Sequence, residues 1–398
     1  MTNSHLSTKQ IFLQHVGQTS AFPMSLEIDH ADNIYLFDPQ GKKYIDLISG
    51  IAVSSLGHNH PKIIAAVQEQ AARHMHVMVY GEFVQSAQVQ LAKAISDTLP
   101  DHLDSVFFVN SGSEAIEGGM KLAKRFTGRH EIIACHNAYH GSTHGALSLG
   151  SQETFKQAFM PLVPGISQIE FGAEEDLHQI SDKTAAVFVE TVQGEAGIRI
   201  ASKQYFEALR RKCNETGTLL VLDEIQTGFG RTGKFWGFEN YGITPDIITS
   251  AKGMGGGMPL GAFIASNEIM SVLQNDPVLG HITTFGGHPV SCAASLALLK
   301  ELKNSKIYTH AEEKAELFRK LLVHPKIKEI RNLGLMMAVQ LDSFEQVSKV
   351  IEKASALGLI TDWFLFCDSA IRIAPPLIIS DAQIEEASAI LLKAIDSV

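Results

Sequence analysis

The chain has 398 residues and is 45% hydrophobic, ample material for a large core, and at about 100–200 residues per domain that length suggests two or three domains. Its net charge is -10, with 33 basic against 43 acidic residues and no long run of one sign, which argues against a nucleic-acid partner and against disorder. Four separated cysteines (Cys135, Cys213, Cys292, Cys367) without a CxxC pair point to a reducing, cytoplasmic setting rather than a disulfide scaffold.

Taken in chain order, Met1 to Gln10 is polar and lacks the apolar core of a signal peptide. Residues Ile28 to Asp46 alternate short runs with the turns Asp32-Asn33 and Pro39-Gln40-Gly41, which predicts a small meander. His58, His60, His74 and His76 have no cysteine or carboxylate cluster beside them, so they read as loop and helix-face residues rather than metal ligands. Ser105 to Val109 is a predicted strand, followed by the turn Asn110-Ser111-Gly112. The helix after it has an apolar face of Ala115, Ile116, Met120, Leu122, Ala123 and Phe126, with Glu117 and Lys121 spaced to pair on the other side. Further predicted strands cover Glu131 to Cys135, Thr184 to Glu190, Thr218 to Asp223, Pro245 to Ala251 and Gly261 to Ala265, with a helix marked by Phe206, Leu209 and Cys213. Strands apolar on both faces belong in a sheet covered by helices on both sides.

The stretch Pro277 to Leu299 carries no Asp, Glu, Lys or Arg, yet its first half is polar and turn-forming. A span needs about 20 mostly apolar residues, so this segment reads as a loop entering a buried helix and not as a membrane helix. Beyond residue 288 the pattern is helix, helix, short strand, helix. The last helix opens on a capping-box spacing, Ser380 and Gln383, and carries the stripe Ile384, Ala387, Leu391 and Ala394. The expected division is a large domain over 51–287 and a smaller one shared by 1–50 and 288–398.

Four segments, each at a predicted strand end, carry chemistry. Ser111, Gly112 and Ser113 lie at a helix start, where free N–H groups and small side chains let a phosphate approach; alone they would pass as an N-cap. Tyr139, followed by His140 and Gly141, can stack on a planar ring, though a buried tyrosine is the plainer reading. Asp223 closes an apolar strand at the edge where open α/β sheets bind ligands, followed by Gln226, though a lone carboxylate there could equally cap a helix. Lys252 follows another apolar strand and precedes glycines, which suits an amine nucleophile better than a surface lysine. Gly228 to Lys234 has P-loop spacing, but Phe235 stands where Ser or Thr would bind magnesium.

From Ile34 to Leu392 the chain resembles the class III aminotransferases, the ornithine, acetylornithine and 4-aminobutyrate group of fold-type I pyridoxal-phosphate enzymes. The most specific stretches are Glu190 to Glu195 (ETVQGE), Leu222 to Gly233 (LDEIQTGFGRTG) and Lys252. The resemblance implies a fold-type I transferase: a large central α/β domain with a mainly parallel sheet, plus a small α+β domain built from both termini. It implies pyridoxal 5'-phosphate as cofactor, with Lys252 as the lysine that links it and Asp223 at the pyridine nitrogen. Gln226 would sit at the ring hydroxyl, Tyr139 and His140 beside the ring, and Ser111, Gly112 and Ser113 at the phosphate. Thr284 resembles the threonine that reaches the phosphate of a neighbouring subunit, which implies a homodimer. Arg372 resembles the arginine that grips a substrate carboxylate, and Glu190 the glutamate that pairs with it. The implied activity is transfer of an amino group from a small-molecule donor to a 2-oxo acid, 2-oxoglutarate first among acceptors.

One position departs from the family. Enzymes for ornithine and acetylornithine have Arg after the aromatic-His-Gly triplet, where this chain has Ser142. That substitution, with the apolar Ile51 near the expected donor pocket, favours an ω-amino acid or amine as donor. Acetylornithine or ornithine transamination stands second, with racemase or aminomutase chemistry on the same fold as a further alternative.

Overall fold

Three sheets organise residues 6–398, which the computed structural model describes. Of the polar opening stretch, residues 1–5 lie outside the described residues. Strands β1 (His30–Asp32), β2 (Tyr35–Phe37) and β3 (Lys43–Asp46) form the expected antiparallel meander. Asn33, in the left-handed region at φ 52, turns the chain between the first two.

The central sheet contains β4 (Ser105–Val109), β5 (Glu131–Cys135), β6 (Ile166–Ile169), β7 (Thr184–Glu190), β8 (Leu219–Asp223), β9 (Ile247–Ser250) and β10 (Gly261–Ala265). Their spatial order is β4-β10-β9-β8-β7-β5-β6, and β10 runs antiparallel to both its neighbours while the other pairings are parallel. Side chains alternate across a strand, and here the alternation divides the core in two. Val187, Val189, Leu220 and Leu222 face one hydrophobic cluster with Phe206 and Leu209 of the helix Lys203–Thr216. Ala186, Phe188 and Val221 face another with Ile116 and Met120 of the helix Gly112–Thr127. Both faces are therefore covered, as the unbroken apolar runs require. The expected Glu117–Lys121 pair on that second helix is not formed. Glu117 instead accepts the Gly145 N–H at 2.8 Å, and Lys121 Nζ lies 2.9 Å from His281 Nδ1.

The segment before Pro289 is a loop, and the helix Pro289–Ser305 follows it, packed on the helices Pro61–Arg73 and Ser86–Ser96. No helix among the described residues is long and apolar enough to cross a membrane. The C-terminal third holds more strand than its single expected one: β11 (Glu329–Leu333), β12 (Met336–Gln340), β13 (Leu359–Ile360), β14 (Trp363–Phe364) and β15 (Cys367–Ile373). Four of these form an antiparallel sheet ordered β11-β12-β15-β14, while β13 pairs in parallel with β3, so the two ends of the chain share a sheet. The last helix, Asp381–Asp396, has its capping box in place, with Ser380 and Gln383 bonded reciprocally.

Candidate active site

Register delivers the polar side chains of the central sheet to one edge. Glu190, the last residue of β7, stands opposite Asp223, the last of β8, and Asp223 opposite Thr249 of β9. Two residues past the end of β9, Lys252 adopts a left-handed backbone at φ 45. The strand ends surround a cavity of about 370 Å³ at the carboxyl edge of the sheet.

At one end of this cavity the helix Gly112–Thr127 begins. The Ser111 hydroxyl caps it by accepting the Glu114 N–H at 3.2 Å, and Gly112 and Ser113 line the cavity at the first turn, where helical N–H groups lack internal partners. Gly141, at φ +134, crosses so close that a Cβ there would lie 2.1 Å from Ser113 Oγ. The Ser142 N–H donates to that same oxygen at 3.3 Å. This end is a concave cradle for an anion.

Across from it, Asp223 is fixed by two donors. The Ile225 N–H reaches Oδ1 at 2.9 Å, and His140 Nδ1 lies 2.7 Å from Oδ2. Burial pushes the His140 imidazole down, but its hydrogen bond to Asp223 and the charges of Asp223 and Glu190 more than offset this and hold it above its usual value. Glu190 anchors the Tyr139 loop: its oxygens accept the N–H groups of Tyr139 and Gly194, each at 3.1 Å. Burial raises the Glu190 carboxyl to about 7. Gln226 also lines the cavity and packs so tightly on Gly194 that a Cβ there would meet its Oε1 at 2.0 Å.

Among the described residues Lys252 Nζ makes no hydrogen bond. Burial lowers its pKa, with Glu195 and Asp223 pulling the other way. A lysine that sheds its proton readily is a competent amine nucleophile. An anion cradle, an aromatic at Tyr139, a fixed carboxylate and a free amine around one cavity match the phosphate, ring, pyridine nitrogen and aldehyde of pyridoxal phosphate, so the residues present fit that cofactor.

A second cavity of about 570 Å³ adjoins the first, sharing Val53, Tyr139, Glu195 and Lys252 and adding Ile51, Asp362, Trp363, Leu365 and Arg372. Here one expectation is corrected. Arg372 does not pair with Glu190, whose oxygens are taken by backbone N–H groups. Its Nη1 and Nη2 donate to the two carboxylate oxygens of Glu195, both at 2.9 Å, and its Nε donates to Asp362 Oδ1 at 2.9 Å. The Phe364 ring lies 4.4 Å from the guanidinium carbon. Burial pushes the Asp362 carboxyl up to about 6, against the pull of Arg372.

Thr284 is exposed and outside the cavity of its own chain, although its neighbour Thr283 accepts from Asn110 Nδ2 at 3.0 Å. Glu195, Asp362 and Ile225, which also lines the first cavity and packs on Gly112, were not singled out by the sequence. For Glu195 a signal existed, since two glutamates stand five residues apart in the same motif and either fits the pattern.

A family model described as aminotransferase class III matches residues 16–395. An acetylornithine aminotransferase of Caldanaerobacter subterraneus is 38% identical over 89% of this chain and 91% of its own length. One from Methanopyrus kandleri is 38% identical over 96% of each. Among solved structures, the ornithine aminotransferase of Toxoplasma gondii ME49 superimposes with a TM-score of 0.91 at 29% identity, covering 98% of this chain and 96% of that one. An (S)-enantioselective omega-transaminase from Thermomicrobium roseum gives 0.89 at 28% identity, over 97% of each.

Proposed function

Because this chain belongs to the class III aminotransferases and is a pyridoxal-phosphate-dependent transaminase, we propose that it takes the terminal amino group of an acetylornithine-type donor and passes it to 2-oxoglutarate. The bidentate Glu195–Arg372 pair carries this reading. While it is closed, no carboxylate can be gripped beside Lys252, which suits a donor whose reacting carbon bears none. The curated relatives support acetylornithine over the amine that Ser142 favours, since their shared name weighs more than one substituted position.

Pyridoxal phosphate, when bound, supplies an aldehyde that takes up the amino group and a ring that accepts electrons from the donor carbon. In this reading Asp223, held by His140 and Ile225, keeps a proton on the ring nitrogen. Lys252 Nζ would take the proton from the donor carbon and deliver it to the carbon that was the cofactor's aldehyde, so that the amino group stays behind when the oxo product leaves. With the cofactor bound, Tyr139 would lie against its ring, Gln226 would serve its ring hydroxyl, and Gly112 and Ser113 would hold its phosphate. Glu195 swings off Arg372 when the 2-oxo acid arrives, exposing the guanidinium to its carboxylate. Thr284 completes the phosphate site of a second copy of the chain, which makes a homodimer the working unit.

A second reading has two observations behind it. Ser142 is exposed and bonds the Tyr139 hydroxyl at 3.2 Å, and Ile51, Val53, Trp363 and Leu365 give the outer cavity an apolar wall. Such a wall suits a less polar ω-amino donor. The holoenzyme should form glutamate from 2-oxoglutarate when given N-acetylornithine. Silence with N-acetylornithine but turnover with 4-aminobutyrate or a simple amine would transfer support to the second reading.

A further inference from the structure

We propose that the charge on Asp362 sets how tightly this enzyme holds the carboxylate of its 2-oxo acid acceptor, an inference that rests on the acceptor reading above. A guanidinium offers two edges for bidentate binding. On Arg372 the Nη1/Nη2 edge is taken by Glu195, and the Nε/Nη2 edge by Asp362 and the Trp363 carbonyl, the latter at 3.2 Å. The two acids differ in how they can move. Glu195 reaches the arginine from the loop after β7, where its Oε2 also accepts the Leu365 N–H at 3.1 Å and its carbonyl the Phe366 N–H at 3.0 Å, bonds from a loop rather than from the strand that carries Arg372. Asp362 adjoins β14 across the ladder from Arg372, and the Arg372 N–H donates to the Asp362 carbonyl at 2.9 Å. Its side chain is one methylene shorter and is tied to the strand that carries its partner.

When Glu195 withdraws, Asp362 therefore stays on Nε. The incoming carboxylate meets an arginine already neutralised by a second acid, in a site where Glu195 and the more distant Asp46 add further negative charge. Asp362 thus lowers affinity for the acceptor while keeping the guanidinium pointed, with Phe364 beneath it.

Asp362→Asn retains an oxygen for Nε and removes the charge, whereas Asp362→Glu retains the charge. Calorimetry on the holoenzyme with glutarate, an unreactive dicarboxylate, reads the clamp without turnover. The Kd of Asp362→Asn is expected about five- to tenfold below wild type, the effect of one charge at close range in a partly buried site. The KM for 2-oxoglutarate should fall in parallel, and Asp362→Glu should stay near wild type. Unchanged or weaker glutarate binding in Asp362→Asn overturns the role of Asp362, as does equal tightening in Asp362→Glu. Failure of the wild type to transfer amino groups to any 2-oxo acid would instead refute the proposed function.

Discussion

Lys252 sits in a left-handed backbone at φ 45, a conformation that costs a non-glycine residue of order 1–3 kcal/mol. Strain of that size persists where the surrounding fold imposes it, and here it projects an unpaired amine into the cavity. Lys252→Arg keeps the charge but cannot form the covalent link, so turnover should fall by at least about a thousandfold. Borohydride reduction of the wild type followed by peptide mass mapping should place the cofactor's mass on the Lys252 peptide; a label on another lysine would refute the assignment. Asp223→Asn tests the opposite end of the ring. An ion pair at about 4 Å and an effective dielectric near 20 is worth roughly 4 kcal/mol, which is about a thousandfold in rate if felt fully in the transition state. The Ile225 N–H can still bond an asparagine oxygen, so the far-ultraviolet dichroism should not change. A rate loss under about tenfold would mean this carboxylate does not sustain the ring charge. That both residues lie at one cavity was legible in the sequence because several polar residues each close an apolar strand, although Asp223 alone would pass as a helix cap. Glu195 stood in the same motif as Glu190, but choosing it requires knowing which carboxylate faces β15 across the loop.

At the scale of elements, a helix glycine usually weakens its helix relative to alanine by about 1 kcal/mol. Gly118 and Gly119 reverse and obey that rule side by side. A Cβ on Gly118 would lie 2.3 Å from the Phe263 ring of β10, whereas one on Gly119 would lie 3.5 Å from Phe188, ordinary contact. Gly118→Ala should therefore cost about 1–3 kcal/mol through overpacking, and Gly119→Ala should be neutral or slightly stabilising. Thermal unfolding of the two holoproteins checks this, and shifts of the same sign would contradict it. The same buried geometry explains which elements could be read in advance. The bounds of β4, β5, β7 and β10 coincide with the predicted runs because the runs are apolar and end at turns or charges. Strand β6 escaped because it lies at the sheet edge, half-buried, with Ser167 and Gln168 inside it. Strands β13 and β14 are two residues each, too short for any period to show, and Asp362 lies between them.

For the whole molecule, the residue that should reach a second copy, Thr284, does not line the cavity of its own chain, although Thr283 bonds Asn110 at the cavity's rim. Thr284 is exposed, next in sequence to Phe285, which is 53% exposed. If Thr284 serves its own site, a chain lacking it is impaired however it is paired. If it serves the neighbour's, two defective chains can repair each other. Lys252→Ala homodimers should be inactive, and Thr284→Ala homodimers should release pyridoxal phosphate about tenfold more readily, the loss of one hydrogen bond to a charged group. In a mixed dimer, the chain that keeps Lys252 receives the intact Thr284 of its partner, so one whole site reappears. Mixing the two variants after reversible dissociation should restore tight cofactor binding and activity to a fraction of the sites. No gain over the Thr284→Ala enzyme alone would show that each chain completes its own phosphate cradle.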